Sequence, residues 1–105
     1  MNHILLHCAE RTQACKARRE ALMADHRHDE AKFEQIRMNV YGIFSAVCST
    51  LKNQPDALAK KLQEIPAAWE ESLRLADMHG DAEKAHIERI KLETAREILQ
   101  EVPRD

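Results

Sequence analysis

Six histidines, three cysteines and 18 acidic residues are the chemistry-bearing groups of this 105-residue chain. Their spacing decides what they could do. His3 and His7 stand four apart, so a helix carries both imidazoles on one face. A free amine at Met1, two backbone amides and His3 could also wrap Cu(II) or Ni(II) in a square-planar nitrogen site. Glu83-x-x-His86 has the spacing of di-iron carboxylate bundles, but those need two such pairs and two further glutamates pointing inward. The second match, Asp25-x-x-His28, offers Asp in place of Glu. In a chain this acidic such matches arise by chance, and the spacing alone is no argument for di-iron.

The thiols point away from catalysis. Cys8, Cys15 and Cys48 are odd in number and irregularly spaced, unlike a disulfide framework. On one helix Cys8 and Cys15 lie about 10 Å apart along the axis, beyond the roughly 7 Å limit for bridging. Reduced thiols fit a reducing compartment. His7 beside Cys8 makes no nucleophile, because adjacent helical side chains diverge and no oxyanion donor or orienting group accompanies them. Gly-rich phosphate loops, a nucleophile elbow and Cys-x-x-Cys are all missing from the sequence. Neither an enzymatic activity nor a cofactor is expected.

Helices must carry these groups. The chain is 44% hydrophobic and 32% charged, with two Gly, three Pro and four aromatics, and its net charge is −2. Such a composition favours helix over sheet and one domain, residues 1–105, over two. Arg11, Lys16, Arg18 and Arg19 are interleaved with Glu10 and Glu20. That is a solvated face rather than the sustained basic surface of a nucleic-acid binder. The longest nearly apolar run, Val40 to Cys48, is under half of the roughly 20 residues a membrane helix needs. With no secretory signal pattern at Met1-Asn2-His3, the expected location is cytoplasmic.

A seven-residue repeat runs from Leu5 to Leu51 without a Pro. One row reads Leu5, Thr12, Arg19, His26, Phe33, Val40, Val47, and its companion Cys8, Cys15, Leu22, Asp29, Ile36, Ile43, Thr50. These rows predict a coiled-coil-like seam on a single helix over 4–51. Such a rod is roughly 70 Å long, and a domain of this size has a radius of gyration of about 13 Å. The seam then exceeds what the rest of the chain can cover, which predicts a homodimer joined through Leu22, Phe33, Ile36, Val40, Ile43 and Val47. Arg19, His26 and Asp29 interrupt the seam and read either as a solvated stretch where the seam opens or as a buried polar layer or protonation switch. A break within 25–30 gives a self-contained four-helix bundle instead. No Gly or Pro marks that break, which favours continuity. Gly42, Ser45, Ala46 and Ser49 add a strip of small residues, suited to close approach of another backbone unless Gly42 simply faces water or bends the helix.

Beyond Asn53-Gln54-Pro55-Asp56 a second helix is expected over 55–79, kinked or broken at Pro66, with a stripe of Leu58, Leu62, Ile65, Trp69, Leu73 and Ala76. His79-Gly80-Asp81 marks a turn into a last helix over 82–102, folded back as a hairpin. The expected protein is all-α and non-catalytic, an adaptor, regulator or subunit acting through protein–protein contact. The alternative is a metal-binding helical bundle using the histidines and carboxylates around 25–30 and 83–86.

Overall fold

The first fifty residues form two helices, not one. The computed structural model describes residues 2–102 as α1 (Asn2–Ala24), α2 (His28–Thr50), α3 (Pro55–Met78) and α4 (Ala82–Leu99). The rod expected over 4–51 is therefore corrected to an antiparallel pair turning at 25–27. The turn is held by backbone bonds from His26 N–H to Met23 C=O at 3.1 Å and from Arg27 N–H to Leu22 C=O at 2.8 Å. That pairing is a Schellman C-cap, with His26 at φ +59° in the left-handed position normally given to glycine. Asp29 and Glu30 then occupy the first turn of α2, where the helix dipole favours acidic side chains.

The second hairpin turns by the same device. Gly80 sits at φ +69°, with Gly80 N–H on Asp77 C=O at 3.2 Å and Asp81 N–H on Ala76 C=O at 2.9 Å. Asp81 then caps α4, its Oδ1 accepting from Lys84 N–H at 3.1 Å. One turn obeys the glycine rule and the other uses histidine. His26→Gly is accordingly expected to stabilise the protein by about 0.5–1 kcal/mol, relief of the Cβ clash outweighing the added freedom of the unfolded chain. Urea melts of the two proteins check it, and equal or lower stability would refute it.

Pro55 opens α3 as expected, and α3 runs unbroken through Pro66. The last helix stops at Leu99 rather than 102, tailing into single turns such as Val102 N–H to Leu99 C=O at 3.2 Å. No helix is long and apolar enough to cross a membrane among the described residues.

Packing follows the hairpins. α1 lies along α2, α3 along α4, and α2 against α4 joins the two pairs, while α2 with α3 and α1 with α4 touch only lightly. The order across the molecule is α1, α2, α4, α3, a slab of 43 × 35 × 21 Å. Phe44, Val40, Cys48, Ile4, Cys8, Leu58 and Ile98 are the fully buried centre. Cys8 and Cys15 come from α1, Tyr41 and Phe44 from α2, Leu58 and Leu62 from α3, and Ala95 and Ile98 from α4. All four helices thus contribute to one core.

This arrangement changes the seam. Val40 lies in the chain's own core, and Val47 packs against it. Phe33 meets the His86 ring edge-on at 4.7 Å, so α4 covers it. Leu22 and Ile36 are half-buried, and Ile43 alone of the six expected interface residues is exposed. The premise that a rod must seek a second chain does not hold. Within the chain, Arg19, His26 and Asp29 form no buried layer. His26 and Asp29 are exposed at the turn, while half-buried Arg19 donates from Nη1 to Gln35 Oε1 at 2.5 Å.

Candidate functional site

Three places in the slab gather polar or apolar groups that core packing alone does not explain. The first is the gap where α2 and α3 diverge. A cleft of about 490 Å³ lies between them, with Ile43 and Val47 on one wall, Ile65, Ala68 and Trp69 on the other, and Lys61 and Glu64 at the rim. It adjoins a smaller one of about 240 Å³ bounded by Ala46, Thr50 and Leu51, sharing Val47 and Lys61. The floor is stiff. Trp69 meets Phe44 edge-on at 6.5 Å, and Lys91 Nζ stands 5.8 Å from the Trp69 ring centre, within cation–π range.

Along the α2 wall, Gly42, Ala46 and Ser49 are exposed, and a Cβ built on Gly42 would meet nothing within 4 Å. Within its own chain, therefore, Gly42 serves no close backbone approach. Ile43 is 41% exposed beside it. The heptad rows identified Ile43 and Val47, and the α3 stripe identified Ile65 and Trp69. The cleft they make together depends on the angle between α2 and α3, which no local pattern encodes.

The second place is the seam between α1 and the end of α4. His7 Nε2 lies 3.0 Å from Glu97 Oε2, and its Nδ1 lies 3.7 Å from Glu101 Oε1. His3 Nε2 is 2.9 Å from Glu101 Oε2. Tyr41, buried on α2, donates its hydroxyl to Glu97 Oε2 at 2.5 Å. Burial and that carboxylate push the phenol above its ordinary range. Arg11 Nε approaches the same oxygen at 3.8 Å. The shared face of His3 and His7 was legible from spacing. Its partners, some ninety positions away, were not.

The third place is a buried carboxylate. Glu34 Oε1 accepts from Arg37 Nη1 at 2.9 Å and from Arg18 Nη1 at 3.2 Å, while Oε2 has no hydrogen-bond partner. Burial, with Glu34 beside it, pushes the Cys15 thiol up to about 11. Burial likewise raises Cys8 and Cys48, and all three thiols are free. Protonated thiols packed in a core are poor nucleophiles and metal ligands at neutral pH.

The histidine–carboxylate pairs expected around 25–30 and 83–86 do not come together as sites. Glu83 pairs with Lys32 at 3.3 Å, His86 meets Phe33 edge-on, and His28 Nδ1 rests 3.3 Å from Met23 Sδ. Among the described residues no three His, Cys, Asp or Glu side chains surround a common point. The square-planar site built on Met1 falls outside the described residues.

No family model matches the chain, and neither a curated protein nor a solved structure matches it.

Proposed function

We propose that this chain is a non-catalytic helical interaction module that works as a subunit, pairing with a second copy of itself through the α2–α3 cleft. One observation carries the reading: an apolar cleft walled by Trp69 lies next to an exposed, small-residue ridge on its α2 side. A two-fold axis lets each copy offer that ridge to the other's cleft, so one surface serves as both halves of the contact. Ile43 is the apolar knob, and Gly42, Ala46 and Ser49 allow the helices to come close. The rim supports the same occupant. Lys61 and Glu64 carry opposite charges, so a two-fold mate sets lysine against glutamate on both sides. Three buried, unbridged cysteines support a reducing compartment as the place of work.

Ile43→Glu tests the pairing. Its side chain is surface-exposed, so the helical fold should persist by circular dichroism. A charge in the contact should weaken self-association at least about 100-fold, as expected for desolvating an unpaired carboxylate. Sedimentation equilibrium of both proteins across about 1–100 μM reads this directly. A native chain that stays monomeric throughout, or a variant that pairs as tightly as the native chain, would overturn the proposal.

A further inference from the structure

Where the first hairpin nears its turn, three arginines surround a single cleft. We propose that Arg18, Arg27 and Arg37 form a binding site for a small phosphomonoester, its dianionic phosphate held by the guanidiniums and its organic part resting on Leu22 and Phe33.

The argument starts from charge. The cleft has a volume of about 430 Å³ and is lined by Arg18 and Leu22 of α1, Arg27 of the turn, and Glu30, Phe33, Glu34 and Arg37 of α2. Three guanidiniums therefore face two carboxylates, an excess of one positive charge. Glu34 positions two of the three. Its buried Oε1 accepts from Arg37 Nη1 at 2.9 Å and from Arg18 Nη1 at 3.2 Å, so one oxygen gathers two cations that would otherwise repel. Each guanidinium has five N–H donors in a rigid plane. Arg18 and Arg37 use one apiece on the acid, which leaves the others to meet a ligand.

Arg27 completes the set from the turn. It grips Glu30 with Nε on Oε1 at 3.1 Å and with Nη2 on Oε2. Both side chains of that pair are about half exposed, and exposed ion pairs contribute little, so a phosphate can draw Arg27 away. Glu34 itself sits at a cost, buried with Oε2 unpartnered. Holding two guanidiniums side by side is a task that explains its place.

Shape selects the ligand. Planar N–H forks fit the oxygens of a phosphate two at a time, and a dianion answers the surplus charge better than a carboxylate does. The volume lies within the range of small-molecule clefts, about 300–1,000 Å³. Leu22 and Phe33 are half-buried and give that molecule an apolar surface. Glu10 and Glu20 alternate with the bases along exposed α1, so a polynucleotide would find no continuing track. None of the three arginines lines the α2–α3 cleft, and the inference stands apart from the pairing.

The test titrates the full chain, labelled with nitrogen-15, with phenyl phosphate and follows the arginine Nε–Hε signals by NMR. One saturable site is expected, with Kd at or below about 1 mM and the largest shifts at Arg18, Arg27 and Arg37. Benzoate has the ring with a single charge, inorganic phosphate has the charge without the ring, and each should bind at least about 10-fold more weakly. Arg18→Gln, Arg27→Gln and Arg37→Gln should each weaken phenyl phosphate about 10-fold or more. Glu30→Gln should tighten it by freeing Arg27, and Arg74→Gln on α3 should leave it unchanged. Arg27 is exposed and pairs with an exposed acid, so its variant remains informative if loss of Arg18 or Arg37 disturbs the fold. Ile43→Glu should bind phenyl phosphate as the native chain does, which separates this site from self-association. Kd above about 10 mM, native affinity in Arg27→Gln, or equal binding of benzoate or inorganic phosphate would each overturn the assignment.

Discussion

Phe44→Ala is expected to destabilise the protein by about 3–5 kcal/mol, the range for truncating a fully buried phenylalanine. The ring has no solvent exposure and stands in the core to which all four helices contribute, against the edge of Trp69. Its removal takes away the ring's own burial and leaves a cavity that α2 and α4 cannot both close. Small domains have about 5–15 kcal/mol of total stability, so the variant loses a large share of it. Urea denaturation followed by circular dichroism gives the number. A loss under about 1 kcal/mol would mean that the slab has no single core.

The second large effect concerns Glu34. Removing both of its partners, as Arg18→Ala with Arg37→Ala, should cost about 3–5 kcal/mol, because an ionised carboxylate is then left buried without compensation. The arginines are not equivalent to their target. Glu34 has a side chain 6% exposed, whereas Arg18 reaches in from solvent and Arg37 from the flank of its own helix. Removing the acid itself is therefore a different experiment. Glu34→Met eliminates the desolvated charge together with its unpartnered Oε2, leaves the arginines hydrated, and should be neutral or stabilising by up to about 4 kcal/mol. Denaturant melts of the two variants check the contrast. Similar losses in both would show that the arginines stabilise by packing rather than by neutralising the acid.

The two hairpin turns show where sequence reading succeeds and where it stops. At 79–81, glycine followed by aspartate announces a helix end and a new cap, and the structure has both. At 25–27 the same hydrogen-bond pattern forms around His26, a residue that marks no turn by its type. Propensity is blind there because packing of α1 on α2 outweighs the local strain of one left-handed residue. The heptad rows then ran on through the break as if it were helix.

Within each helix the rows are partly right. Cys8, Cys15 and Val40 lie on them and are buried, yet Tyr41, Phe44 and Cys48 are buried too and lie off them. An α-helix drifts about 20° per heptad from a strict seven-residue repeat. A straight helix in a slab therefore buries a face that walks away from the seam, and Ile43 is left outside. The all-helical class and the C-terminal hairpin were legible because Gly, Pro and the apolar stripes agree. The cluster of His7, Tyr41 and Glu97 was not, since it joins three helices whose order across the slab is set by packing alone.

That order also bears on how the chain acquires its shape. Each outer helix rests mainly on its immediate neighbour in sequence, so most contacts close over short stretches of polypeptide. Either half can zip up before the other arrives, and only the meetings of α4 with α2 and α1 require a long loop to close. Such topologies belong to the fast end of the kinetic scale, about microseconds to milliseconds. The barrier then sits at the docking of two preformed pairs, so unfolding along the reverse path opens the central α2–α4 contact first and the hairpins afterwards.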